Sequence, residues 1–117
     1  MSDTSVYRGG WPAGCGCWRR LAVVSTKREE LRQRLAQVRL YVCTDARAQR
    51  GDLAEFVDEI TAAGVGIVQL RDKQLDARQS LHALNVVRER CEANGALWCV
   101  NDRADIAVLA GAPVVHV

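Results

Sequence analysis

From residue 26 onward, apolar positions alternate between helical spacing and short unbroken runs. Before it they follow neither pattern. Residues 1–24, with Gly9-Gly10-Trp11-Pro12 and Gly14-Cys15-Gly16-Cys17, read as a poorly structured extension. Thr26-x-x-Glu29 is a capping box, in which a hydroxyl and a carboxylate satisfy orphan N–H groups at a helix start. Leu31, Leu35 and Val38 follow at i, i+4 and i+7, one apolar stripe on a short helix. Leu40-Tyr41-Val42-Cys43 is an apolar, β-prone run and predicts the first strand, ending at Thr44-Asp45. Asp52-x-x-Glu55 opens a second helix by the same capping logic, with Leu53, Phe56, Val57 and Ile60 on its buried face and Gly64 as its stop. Residues 66–70 predict strand two. Asp76-x-x-Gln79 caps a third helix, which buries Leu81, Leu84, Val87 and Cys91 and stops at Asn94-Gly95. Residues 96–100 predict strand three, with Trp98 in the core. Residues 103–110 predict a short helix ended by Gly111, and residues 114–117 begin strand four.

The order is a leading helix followed by βαβαβαβ. Ile67-Val68 and Val114-Val115 lack polar alternation, as parallel strands buried on both faces do. Strands alternating with helices imply an α/β fold with a parallel sheet and right-handed crossovers.

Composition narrows the class. The chain has 117 residues, 49% of them hydrophobic and 26% charged, which suits one small domain and excludes a mostly disordered polymer. Unbroken apolar runs are far shorter than the roughly 20 residues a membrane span needs. Residues 1–36 carry seven Lys/Arg against three Asp/Glu, while residues 37–117 carry nine against eleven. Positive charge therefore lies on the N-terminal segment, and the basic stripe expected of a nucleic-acid binder is absent from the folded part. Five cysteines at irregular spacing, with no secretory signal, read as reduced thiols of a cytoplasmic protein. The Cys15-x-Cys17 pair lacks the further ligands of a zinc site.

In parallel sheets, ligands bind at the carboxyl ends of strands. Strand two ends in Gln69-Leu70-Arg71-Asp72-Lys73. If the extended conformation continues, Gln69, Arg71 and Lys73 point the same way. One amide and two cations suit a phosphate or pyrophosphate, the arginine as a fork and the lysine as a point charge. From spacing alone, a solvated strand end with incidental charges is the weightier reading. Strand three ends in Val100-Asn101-Asp102-Arg103. Asn101 suits an anionic ligand and Asp102 a hard cation such as Mg²⁺, which prefers one or two carboxylates plus substrate phosphate oxygens. Either residue would serve equally as an ordinary helix N-cap. Asp105 reads as a first-turn charge favouring the helix dipole. His116, near the end of strand four, reads as structural, and Arg88-Glu89-Arg90 as a solvated helix face.

The combination carries more than its parts. Leu40-Tyr41-Val42-Cys43-Thr44-Asp45, the segment from Gly64 through Lys73, Asn101-Asp102-Arg103-Ala104-Asp105-Ile106-Ala107 and residues 110–117 occur in family-like order and spacing. Together they resemble the N-terminal half of the thiamine-phosphate synthase family over about residues 38–117. The resemblance implies an incomplete TIM (β/α)8 barrel in residues 25–117. It implies a transferase that condenses hydroxymethylpyrimidine diphosphate with thiazole phosphate to give thiamine phosphate and pyrophosphate. By position, Gln69, Arg71, Lys73 and Asn101 would hold the pyrimidine diphosphate, and Asp102 would be one Mg²⁺ ligand. His116 matches the histidine preceding the family's next metal-binding loop. No catalytic residue is assigned.

Pro113 and Val114 depart from the family pattern, and the later family segments, with a second metal-binding aspartate, a pyrophosphate lysine and the thiazole-phosphate site, are expected to be missing. The chain is therefore expected to be inactive alone and to self-associate through an open barrel edge. A thiazole tautomerase-like relative is one alternative, against which Lys73 and Asp102 argue. A non-catalytic α/β binding or regulatory module is the other, although a receiver-like domain needs five strands and paired acids after strand one.

Overall fold

A computed structural model describes residues 16–117, with side chains from residue 27 onward. Helix α1 spans Gly16–Gln37. It begins well ahead of Thr26, which lies inside it, so the expected capping box is not the helix start. The reason is local: after Gly16 the segment contains no proline or glycine, and straight-chain residues predominate. Of the expected extension, residues 1–15 lie outside the described residues, and residues 16–24 form the first part of α1. The chain divides into two units, one ending at Leu35 and the other spanning Ala36–Val117.

The second unit contains β1 (Tyr41–Thr44), α2 (Leu53–Ala62), β2 (Ile67–Leu70), α3 (Ala77–Ala93), β3 (Leu97–Asn101), α4 (Ala104–Ala110) and β4 (Val114–His116). All three strand pairs are parallel, in the order β1-β2-β3-β4. This is the expected strand-helix order and the arrangement of consecutive units of a (β/α)8 barrel. Among the described residues, β1 and β4 each pair on one side only. No described helix is long and apolar enough to cross a membrane.

Strand alternation divides the buried residues between two faces. Val68 and Leu70 of β2, with Trp98 and Val100 of β3, pack against Val57 of α2 and Leu84 of α3 in one apolar cluster. Fully burying a side chain such as Leu84 contributes about 1.5–3 kcal/mol. Ile67, Gln69, Leu97 and Cys99 alternate with these and turn to the other face of the sheet, which in a closed barrel points inward. Register there sets Cys43 opposite Gln69, and Gln69 opposite Cys99.

The helix ends follow the capping signals unevenly. Gly64, at φ +108, closes α2: its N–H donates to the Thr61 carbonyl and the Val65 N–H to the Ile60 carbonyl, each at 3.1 Å. The same six-residue closure joins Ala96 to Cys91 after α3 and Ala112 to Ala107 after α4. At the start of α3, Asp76 accepts from the Gln79 N–H at 2.8 Å and the Gln79 side chain accepts from the Asp76 N–H at 3.0 Å, the reciprocal box expected. Asp52 does not cap α2. Its two carboxylate oxygens are taken by the Arg47 guanidinium, at 2.6 and 2.8 Å. Arg88 also departs from expectation: it is half-buried, and its buried Nε has no hydrogen-bond partner among the described residues. Glu89 and Arg90 are exposed.

Candidate functional site

The carboxyl ends of β1, β2 and β3 carry three loops, and two clefts lie over them. The larger, about 630 Å³, is lined by Asp45, Arg47 and Arg50 after β1 and by Arg71, Asp72 and Lys73 after β2. The smaller, about 330 Å³, is lined by Lys73, Asn101, Asp102 and Arg103, with Leu70 and Val100 at its floor. Asp72 and Lys73 border both.

The structure does not bring Gln69, Arg71 and Lys73 into one row. β2 ends at Leu70, and the chain turns at Lys73-Gln74. Asp72 imposes the turn by accepting a hydrogen bond from the Gln74 N–H at 3.0 Å, the side-chain turn that aspartate makes readily. Gln69 remains below in the sheet, 2% exposed, and lines neither cleft. Its Oε1 accepts from the Cys43 thiol at 2.9 Å, and its Nε2 lies 3.9 Å from the Cys99 sulfur. The Tyr41 hydroxyl donates to that same sulfur at 3.6 Å. Burial pushes the Tyr41 hydroxyl and the Cys99 thiol above their ordinary values, so both stay protonated at neutral pH.

Arg71 and Lys73 are exposed and form no salt bridge among the described residues. Arg71 is held by its backbone, whose N–H donates to the Thr44 carbonyl at 2.8 Å. Arg47 is differently engaged. Besides binding Asp52, its guanidinium lies over the Phe56 ring at 4.0 Å. The pairing lowers the Asp52 carboxyl below its usual value and raises the guanidinium.

Asn101 ends β3 and borders the smaller cleft. Asp102 follows with φ +62, a left-handed conformation uncommon outside glycine, and its N–H donates to the His116 carbonyl of β4 at 2.6 Å. Neither residue caps α4: Arg103 holds the N-cap position without a side-chain bond. The Asp102 carboxylate is exposed and accepts no hydrogen bond among the described residues. Asp105, in the first turn as expected, binds the Arg103 guanidinium through both oxygens at 2.9 and 2.6 Å, and this pairing holds its carboxyl down at about 2. His116 serves β4 through its backbone carbonyl.

Sequence reasoning overlooked Arg47 and Arg50. The available signal was two arginines directly after a strand's carboxyl end, but a solvated loop has the same composition. It also passed over Asp72, whose second oxygen accepts from the Ala46 N–H at 3.2 Å and ties the β2 loop to the β1 loop.

A family model described as thiamine monophosphate synthase matches residues 40–117. A thiamine-phosphate synthase from Thermobifida fusca is 66% identical over 88 residues, which are 75% of this chain and 40% of that protein. One from Arthrobacter sp. is 58% identical over 83 residues, 71% of this chain and 35% of the relative. Among solved structures, a thiamine phosphate pyrophosphorylase from Pyrococcus furiosus superposes with a TM-score of 0.60 at 30% identity, covering 68% of this chain and 39% of that one. The chain thus spans about 40% of the length of the curated relatives it matches.

Proposed function

The chain belongs to the thiamine monophosphate synthase family, and from that membership we propose that it carries the diphosphate-binding part of a transferase site. The reaction is the condensation of hydroxymethylpyrimidine diphosphate with thiazole phosphate, giving thiamine phosphate and pyrophosphate. The bond from the pyrimidine methylene to the diphosphate oxygen ionises, and the thiazole nitrogen captures the carbocation. The observation that supports this reading is the pair Arg71 and Lys73, free of salt bridges among the described residues and bordering one cleft at the carboxyl end of β2.

A departing diphosphate gathers negative charge, and cations fixed beforehand stabilise it without reorganising. Arg71 offers a planar fork for two phosphate oxygens, and Lys73 a point charge. Asn101, which borders the neighbouring cleft, would donate its amide to a phosphate oxygen. Gln69 acts from beneath, by fixing the strand from which Arg71 emerges.

The donor set fits a hard divalent cation in part. Asp102 presents a carboxylate unpaired among the described residues, the ligand type Mg²⁺ takes, and no described group of three or more such side chains surrounds it. Asp102 would hold the ion together with phosphate oxygens and water. The ion, when bound, neutralises charge on the leaving diphosphate. The free thiols Cys43, Cys91 and Cys99 suit a reducing compartment, and we assign the chain to the cytoplasm.

The four described strands form an open sheet with the proposed diphosphate clefts at one end, so a polypeptide of these 117 residues is expected to bind pyrophosphate without turning over both substrates. Leu40, Tyr41, Val115 and Val117, exposed beside β1 and β4, are expected to drive its self-association. Calorimetric titration of the chain with pyrophosphate and Mg²⁺ tests the site. Arg71→Gln and Lys73→Ala should each weaken binding about tenfold. Affinity unchanged in both variants would refute the cleft as a diphosphate site.

A further inference from the structure

We infer that Arg50, on the loop after β1, is a third cation of the larger cleft and that Asp72 is the positioning residue holding its loop in place. This rests on reading the cleft as a diphosphate site, and it adds a binding group from a second loop. Arg50 borders the same cleft as Arg71 and Lys73, although it comes from a different strand end. Of the two arginines on its loop, Arg47 is committed to Asp52 and Phe56, whereas Arg50 makes no salt bridge among the described residues. A diphosphate carries more charge than one guanidinium and one ammonium neutralise, so a further fork from a second loop is chemically matched to it.

The loop is fixed rather than merely close. Arg47 adopts φ +51, and its carbonyl accepts the N–H groups of Arg50 and Gly51 at 2.9 and 2.8 Å, which folds the loop into a tight turn. The Arg47 N–H in turn donates to the Asp45 carboxylate at 2.9 Å. One side chain crosses between the loops. Asp72 accepts from Ala46 with one oxygen and from Gln74 with the other, so a single carboxylate sets both walls. It lies between Arg71 and Lys73 in the chain, yet its oxygens are spent on backbone N–H groups. That arrangement orders the cations while engaging its own charge locally.

Pyrophosphate titration of the full 117-residue chain in the presence of Mg²⁺ tests this. The variants are Arg50→Gln, Asp72→Asn and the pair combined, with Arg78→Gln on the exposed face of α3 as the control. Arg50→Gln should weaken binding about tenfold and flatten its dependence on salt, since one charge contact is lost. Asp72→Asn should weaken binding while circular dichroism stays unchanged. The two losses together should fall short of their product, because Asp72 acts in part through Arg50. Unchanged affinity in Arg50→Gln, or an equal loss in Arg78→Gln, overturns the assignment of Arg50 and leaves Arg71 and Lys73 standing. Independent, multiplicative losses overturn the positioning role of Asp72. Failure of the unaltered chain to bind pyrophosphate overturns the diphosphate reading itself, and this inference with it.

Discussion

The Cys43 thiol on β1 donates a hydrogen bond to the Gln69 amide oxygen on β2 at 2.9 Å, across strands aligned so that the two residues face each other. Gln69 is almost fully buried, and a buried amide is costly unless its polar atoms are paired. Among the described residues its nitrogen has only the 3.9 Å approach to Cys99. The thiol is therefore its main partner among the described residues. Cys43→Ala should lower stability by about 1 kcal/mol, at the low end for an orphaned acceptor because a thiol is a weak donor. Cys43→Ser, which keeps a donor, should lose less. Urea unfolding midpoints measure both, and an unchanged midpoint in Cys43→Ala would show that the oxygen finds another partner.

Asp76 and Asp52 stand at the starts of neighbouring helices in nearly the same sequence context, yet only Asp76 caps. Asp76→Ala should cost about 1 kcal/mol, the ordinary loss of an N-cap, because two N–H···O bonds at α3 depend on it and Gln79. Asp52→Ala leaves the α2 N-terminus as it was and releases Arg47 instead. The expected outcome is a clear fall in thermal midpoint for Asp76→Ala and a smaller one for Asp52→Ala. The reverse order would mean that the Arg47 pair matters more than the cap.

That contrast marks what could be read from the residues alone. Strands β1 to β4 were legible because runs such as Ile67-Val68 are locally apolar, β-prone and bounded by turn signals. Gly64, Gly95 and Gly111 marked the helix ends because a left-handed residue is needed there. The failures involve partners distant in sequence or competing nearby. Asp72 finds Ala46 across 26 positions, and no periodicity encodes that. Asp52 meets a guanidinium five positions upstream that competes with its cap role. The chain turns after Leu70, so alternation could not place Arg71 and Lys73 in line with Gln69. The start of α1 was missed because Cys17, Leu21 and Val24, at helical spacing, directly follow a stretch broken by Gly9, Gly10, Pro12, Gly14 and Gly16.

Asp102 holds a left-handed conformation that glycine adopts more readily. Its carboxylate caps nothing and pairs with nothing described, so contacts within the fold do not account for an aspartate there. Asp102→Gly should therefore leave stability within about 1 kcal/mol of the parent, as relief of strain offsets the greater freedom of the unfolded chain. The same variant should remove the contribution of Mg²⁺ to pyrophosphate binding. Chemical denaturation and titration with and without Mg²⁺ separate the two effects. Marked destabilisation with metal dependence intact would make Asp102 a structural residue.

Cys91 lies fully buried on α3, and burial pushes its thiol up to about 12. The thiolate is the reactive form, and at pH 8 it would be only about one part in ten thousand of the native population. Cys99 is buried and shifted upward for the same reason, whereas Cys43 is exposed. Iodoacetamide at pH 8 should therefore modify Cys43 rapidly and leave Cys91 and Cys99 unmodified until urea unfolds the chain, as peptide mass mapping would record. The shift also predicts an alkaline limit to stability. The unfolded thiol loses its proton near 9, while the native thiol keeps it to about 12, so the native state binds more protons between those values. Stability from this group is complete below pH 9 and declines as pH rises toward 12. Cys91→Ala, though it leaves a small cavity, should flatten that decline between pH 9 and 10.5. An identical slope in the variant would place the alkaline sensitivity elsewhere.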